Sequence, residues 1–484
     1  MDYKHGVYGE HEKFSGKLGS EGATIPVYLD TAPVWQLNTM GAAGFDYTPY
    51  IGKPMLVKGL KVAKSLMGYS EALASFGLCE AVYVHFGLRG TGPILAVNLA
   101  DPSKLETAEQ TVTVTVSGAA GAKTGYLKDP LAAIEHIAVT GPAEGGYTLE
   151  YEEDSVKITV TDEEFSASSV TLTYHRVDVS QTAITTEAYQ AAVDGLDYCD
   201  VQTGRRPNLL VSPRFSGIPA YHAILLAKAA EKLGGKWEAI TLSDIPSTAA
   251  VNTRVLAKTW KSTNNYGSDL DKVFWPCCKS ESVVLHASTV AAAVLEDLDE
   301  TAGGVPYISL DNKNSGMDGV CLESGEDVLL CERDANDLNE VGITTFNVLN
   351  SERRFWGCHM ANYAFANEEN IDPEYLQDTS VRMAIYLRNY RKEHYADSVG
   401  NPMARRDIDA ILASIQQWLN GLVGAGKLLY AKVSFEETEN NNSSMAAGDF
   451  VFTVADTFTP TAKSLTFIDH YTADGLNALT GGES

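Results

Sequence analysis

Between residues 106 and 179 the chain reads with a period of two, and on either side it does not. Thr111-Val112-Thr113-Val114-Thr115-Val116 alternates polar and apolar residues, as do 147–151, 156–161 and 170–174. Turn clusters at Gly145-Gly146 and 152–155 separate these runs. Successive strand side chains point to opposite faces, so short alternating strands at this spacing predict a small β-sandwich. A helix-free block inside a mixed chain marks an inserted domain, and 484 residues exceed what one hydrophobic core serves.

The flanking sequence changes period. Ile25-Pro26-Val27-Tyr28-Leu29 reads as a strand closed by Asp30-Thr31-Ala32-Pro33, followed by a helix over 70–76 and a strand over 81–86. Ile94-Leu95-Ala96-Val97-Asn98-Leu99 is a buried-strand pattern ended by Asp101-Pro102. After 180, Asn208-Leu209-Leu210-Val211 is a strand and 218–234 a helix, with Ala223, Leu226, Ala227, Ala230 and Leu233 on one face. A strand at 237–242, a helix at 247–260 and strands at 273–275 and 283–286 continue the alternation. Alternating strand and helix predict an α/β layer domain with a mainly parallel sheet.

The strongest helical pattern lies near the C-terminus. Ile408, Ile411, Leu412, Ile415, Trp418, Leu419, Leu422 and Val423 recur at three- and four-residue spacing, and Gly424 and Gly426 close the run. Arg405, Arg406, Gln416 and Gln417 fall off that face, the two arginines in an otherwise acidic chain. A strand at 432–435, a polar run at 436–444 and strands at 449–455 and 463–468 follow. That order fits a strand-donating arm and a hairpin folded on its own domain alike. Residues 1–23 are polar and Gly-rich, and read as a frayed end or an arm that orders against a neighbour.

A formal charge of −26 argues against nucleic acid as a partner, since phosphate binding rests on Lys and Arg. No stretch approaches the roughly 18 uncharged apolar residues that insert in a membrane. Met1-Asp2-Tyr3-Lys4-His5-Gly6 lacks a signal-peptide apolar region, which places folding in the cytosol. Seven scattered cysteines are no disulfide framework, and Cys277-Cys278 read as buried inert thiols.

Nucleotide motifs fail: in the nearest phosphate-loop approach, Gly421 to Lys427, Leu428 stands where a hydroxyl is required, and the glycines end a helix. HExxH, EF-hand and GxSxG patterns are absent. His222 and His286 are the best candidates for a Ser/His/Asp site; the pattern puts His222 toward solvent and His286 in packing with a satisfied ring. No catalytic, cofactor-binding or metal-binding residue, and no cofactor, is assigned.

Several segments, taken in order, resemble the contractile tail sheath family of phages, R-type bacteriocins and related injection systems. They are His5-Gly6-Val7-Tyr8; Ile25-Pro26-Val27 with Thr31-Ala32-Pro33; Gly92-Pro93-Ile94-Leu95-Ala96-Val97-Asn98; and Arg206-Pro207-Asn208-Leu209-Leu210-Val211-Ser212-Pro213. The most specific is Leu338-Asn339-Glu340-Val341-Gly342-Ile343-Thr344-Thr345-Phe346 with Arg354-Phe355-Trp356-Gly357. Asp30 departs from the family's usual glycine.

The resemblance implies an α/β multidomain chain. Its α/β core, of subtilisin-like topology, would span 24–105 and 180–355, with the β-sandwich inserted at 106–179 and an α+β C-terminal domain at 356–435. Extended arms would lie at 1–23 and 436–484. It also implies hexameric rings stacked helically around a tail tube protein, with baseplate and tail terminator proteins as further partners. Such a subunit assembles in the host cytoplasm and ends in the virion or bacteriocin particle. On this reading Val7, Tyr8, Phe450, Phe452, Val454, Leu465 and Phe467 lie on inter-subunit arms, and Arg405, Arg406, Gln416 and Gln417 face the tube. Removing residues 445–484 should then leave a folded subunit that cannot polymerise. The rival is a cytosolic α/β hydrolase with a β-sandwich accessory domain, which needs a nucleophile–base pair the sequence does not display.

Overall fold

The computed structural model describes residues 24–42, 44–473, 475–476 and 479. Strands β1 (Pro26–Asp30), β2 (Pro54–Val57) and β3 (Ile94–Asn98) precede the alternating block. That block forms β4 (Leu105–Thr115), β5 (Lys123–Leu127), β6 (Ala132–Thr140), β7 (Tyr147–Glu152), β8 (Ser155–Val160) and β9 (Ser169–Val177). Beyond it come β10 (Leu209–Val211), β11 (Ile240–Asp244), β12 (Asp271–Phe274), β13 (Cys277–Ser280), β14 (Val283–Leu285) and β15 (Gly319–Cys321). The series ends with β16 (Ile343–Leu349), β17 (Glu352–Trp356), β18 (Leu428–Ser434) and β19 (Thr453–Phe458).

An eight-stranded sheet runs β17-β16-β12-β11-β10-β1-β3-β2. Its six inner strands pair in parallel, and β2 and β17 close the edges antiparallel. Inner strands of this kind are covered on both faces and must be apolar on both. Accordingly Tyr28 and Ile94 face one core with the Ala287–Thr301 helix, while Val27, Leu29 and Leu95 face the other with the Thr186–Asp194 and Pro219–Glu231 helices.

Residues between β3 and the Thr186–Asp194 helix leave this sheet. They form two three-stranded antiparallel sheets, β4-β9-β6 and β5-β8-β7, around their own apolar cluster of Val114, Ile158, Val160 and Leu172. Leu105 pairs with Val177, so the excursion leaves and returns at one place.

The glycines of the Leu338–Gly357 segment have steric reasons. Gly342 has φ +67°, and a Cβ there would stand 2.6 Å from the Met360 carbonyl oxygen. Trp356 Nε1 donates to Asn336 Oδ1 at 2.8 Å, tying β17 to the Glu332–Asn339 helix.

The Asp378–His394 helix is fastened to the α/β layer by buried charge. Lys272 meets Asp378 at 3.0 Å, Arg382 pairs with Asp299, and Glu238 takes Arg388 and Lys392, each at 2.6 Å. Asn389 adds two hydrogen bonds to the Glu238 backbone. On its other side this helix shares Met383 and Leu387 with a cluster holding Ile415, Leu419 and Leu422 of the Arg405–Gly424 helix and Leu428 and Val433 of β18.

Four local expectations fail. Residues 70–76 form turns between two short helices, and 81–86 are helical, within Gly77–Val82 and a π-helix over Tyr83–Arg89. A short run buried on every side carries no period that tells strand from helix. The Pro219–Glu231 helix buries Tyr221, His222, Leu225 and Ala229, not the Ala223–Ala227–Ala230 face. Its buried face carries polar and aromatic residues, and the alanine face is the solvent side. Residues 463–468, expected as a strand, have no strand partner among the described residues.

Candidate assembly interface

The two histidines proposed for chemistry sit in buried polar networks. His222, expected toward solvent, is buried because its face of the Pro219–Glu231 helix turns to the sheet. Its Nε2 lies 2.8 Å from Asp271 Oδ2, and its ring stacks on Tyr266 at 3.7 Å. The other oxygen of Asp271 accepts the hydroxyls of Thr241 and Ser243 at 2.7 and 2.8 Å. Those hydroxyls therefore serve the carboxylate and not the imidazole, the reverse of a nucleophile–base pair.

His286 packs as expected, with its ring satisfied by Glu80 at 2.8 Å. The neighbouring Ser288 donates to Asp244. Burial pushes the Asp244 carboxyl up to about 6. Cys358 and His359, a pair not singled out from the sequence, approach to 3.7 Å. Burial pushes that thiol up to about 12 and lowers the imidazole, which disfavours a thiolate. Among the described residues no group of three or more His, Cys, Asp or Glu is placed to hold a metal ion, and no helix is long and apolar enough to cross a membrane.

The C-terminal region is built differently. β18 and β19 make a two-stranded antiparallel sheet, with Lys432 opposite Ala455 and Val433 opposite Val454. One face rests on the Arg405–Gly424 helix, through Leu428, Ala431 and Val433. A two-stranded sheet leaves an open edge on each strand, which is the geometry that accepts further strands.

Phe452 and Val454, expected on an arm, belong to this hairpin and pack on its own cluster; Phe452 also meets Phe435 at 5.3 Å. Phe450 is half-buried beside them. Alternation along 449–455 fits arm and hairpin equally; in this structure the strand over Thr453–Phe458 pairs with β18 above its apolar face. A cut at residue 445 would consequently remove β19, and the chain divides more cleanly after Pro460.

Beyond β19 the chain is held first by Thr459, whose hydroxyl donates to the Gly426 carbonyl at 2.9 Å. The Gln377 amide brackets Thr461, donating to its carbonyl and accepting from its N–H, both at 2.8 Å. Lys463 reaches Glu368 at 3.2 Å. From there Leu465, Phe467, Ile468 and Tyr471 are 75% or more exposed. Isolated exposed apolar residues are ordinary, but four within seven positions form a contiguous sticky segment. Val7 and Tyr8, the other arm candidates, lie outside the described residues.

On the Arg405–Gly424 helix, Arg405, Arg406 and Gln417 are exposed; Arg405 pairs with Asp409 one turn on and Arg406 with the adjacent Asp407. Gln416, expected with them, turns inward to β18, because its position on the helix lies alongside that strand. The sequence reading missed Gln377 and Gln416 as organising residues; a polar side chain that bonds backbone far along the chain leaves no local pattern.

No family model matches the chain. Over 515 aligned positions it is 24% identical to the tail sheath protein of Burkholderia phage BcepMu, covering 99% of both chains. A shorter stretch of 141 residues is 28% identical to the major tail sheath protein of Serratia phage KSP20, covering 29% of this chain and 33% of that one. Among solved structures, a chain of the anti-feeding prophage baseplate aligns with TM-score 0.58 and 13% identity over 98% of this chain and 100% of that one. The sheath complex of the extracellular contractile injection system PVC, in its contracted state, gives TM-score 0.55 and 13% identity over 99% of each. The structural likenesses bear on the fold.

Proposed function

We propose that this chain, which belongs to the contractile tail sheath family, is the subunit of a contractile sheath and polymerises by lending its tail to a neighbouring copy. The observation that carries this reading is the presence, in the same chain, of a hairpin of only two strands, β18–β19, and an exposed apolar tail. Donor and acceptor on one molecule generate a heterologous contact, which does not close on itself and so propagates a helix of subunits. Backbone hydrogen bonds hold such a joint, while the stretch between Phe458 and the donated strand lets subunits turn relative to one another.

The sleeve, as stacked hexameric rings, surrounds a tail tube protein, meets baseplate and tail terminator proteins at its ends, and forms in the host cytoplasm as part of a virion or bacteriocin particle. Exposed Arg405, Arg406 and Gln417 are offered as the tube-facing group, and residues 1–23 as a second arm. The block from β4 to β9 is a β-sandwich inserted in a core of subtilisin-like topology, and it points outward. The ion pairs joining Asp299 to Arg382 and Lys272 to Asp378 make the α/β layer and the Asp378–His394 helix one solid piece. Contraction is then a rearrangement of rigid subunits about their strand joints, driven by new side-chain contacts and needing no nucleotide.

Negative-stain electron microscopy of the purified chain, at rising salt to screen its charge, tests this reading. Hollow striated tubes or stacked rings are expected. Uniform single subunits at every concentration, together with turnover of ester substrates, would favour the hydrolase reading instead.

A further inference from the structure

The Arg405–Gly424 helix lies against β18, and Gln416 reaches that strand's backbone. Its Nε2 donates to the Ala431 carbonyl at 3.1 Å, and its Oε1 accepts the Val433 N–H at 3.0 Å. Within an antiparallel strand the N–H and C=O of one residue point to the same side, and residues two apart share that side. Since the Val433 N–H goes to Gln416, Ala431 and Val433 present their backbone groups away from β19. These are the groups an added strand would use. Gln416 fills them as one residue of such a strand would, with a side-chain amide in place of a peptide. Asn420 Oδ1 accepts from the same Nε2 at 2.8 Å and holds the rotamer.

We propose that the outer edge of β18 is the acceptor for tail residues 463–471 of a second copy, and that Gln416 is the removable cap that keeps this edge closed until that strand arrives. The inference rests on the reading that the tail is donated, and adds which edge receives it and what guards it. The occupant follows from the tail itself. Leu465, Phe467 and Tyr471 fall on one face of an extended strand, and all three are exposed. Thr461 and Lys463 are held by Gln377 and Glu368, outside the hairpin, so in this structure the tail does not lie on its own free edge. Exchange is also nearly even in hydrogen bonds: each bond to the Gln416 amide is replaced by one to a backbone group. An uncapped edge would pair indiscriminately, a hazard the glutamine suppresses.

Hydrogen exchange at the Val433 amide, read on the full chain, decides the matter. In the wild-type subunit this amide is expected to be protected. In Gln416→Ala it should exchange at least about tenfold faster in the free subunit and become protected again once tubes form, with tubes appearing at a several-fold lower protein concentration than wild type. Gln416→Met, which keeps the packing volume without the amide, serves if the alanine variant fails to fold. A Val433 amide that still exchanges freely inside variant tubes, or a folded variant that assembles no more readily than wild type, overturns the cap. Tubes formed by a chain ending at Pro460 would instead overturn the donated tail itself, whatever Gln416 does.

Discussion

His286 is joined to Glu80 twice: its Nδ1 lies 2.8 Å from one carboxylate oxygen, and its backbone N–H donates to the other at 2.7 Å. Burial alone would lower the imidazole pKa, but the Glu80 charge and hydrogen bond, with Asp244 and Asp30 behind them, raise it from 6.5 to about 9. The native state then holds a proton that the unfolded chain has lost, so the stabilisation is complete below about pH 6.5 and fades as pH rises through 9. Urea midpoints are expected to fall across that interval by an amount equivalent to ~1–3 kcal/mol, and His286→Gln to flatten the slope. Asp244, pushed up by burial, titrates below this window and does not mimic it. Burial lowers Lys261 to about 8, which adds stability as pH rises past that value, so a wild-type profile that falls no more steeply than that of His286→Gln would contradict the pair's role.

Asp271 binds His222 and two hydroxyls with no solvent contact. Asp271→Ala takes the acceptor from His222 and the Ser243 hydroxyl in the interior, while Thr241 keeps the Leu270 carbonyl at 3.2 Å, and should cost ~3–5 kcal/mol in unfolding experiments. A loss under about 1 kcal/mol would show the network to be dispensable for folding.

Thiol accessibility should be equally selective. Of seven cysteines only Cys331 is exposed, and burial pushes the Cys277 and Cys278 thiols up. A thiol reagent should modify one cysteine per native chain and all seven in denaturant. Rapid native modification of Cys277 or Cys278 would mean that the sheet around them opens.

The sequence made legible those elements whose period matches one-sided burial. β8 and β9 alternate because one face is covered, and the Arg405–Gly424 helix shows its stripe because one side rests on the hairpin. The buried parallel strands β1 and β3 were readable from their length and the Asp-Thr-Ala-Pro and Asp-Pro punctuation that follows them. Residues 81–86 misled because Val82, Val84 and Phe86 are buried in a helix covered on all sides, where β-branched and aromatic residues are as welcome as in a strand. His222 misled for another reason: its partner Asp271 lies 49 residues away, and only the folded chain brings them together. Of the candidate interface, the apolar tail was visible as alternating Leu465 and Phe467. That Phe452 and Val454 fold back, and that Gln416 leaves the exposed face, depends on where β18 lies.

In the proposed function the tail beyond β19 joins subunits while contributing little to the fold of its own chain. Electron microscopy of the full chain beside a chain ending at Pro460, each first checked for cooperative unfolding, measures this most directly. The shortened chain is expected to unfold like the full one and to remain dispersed where the full chain forms tubes or ring stacks. Tubes of normal appearance from the shortened chain would contradict it.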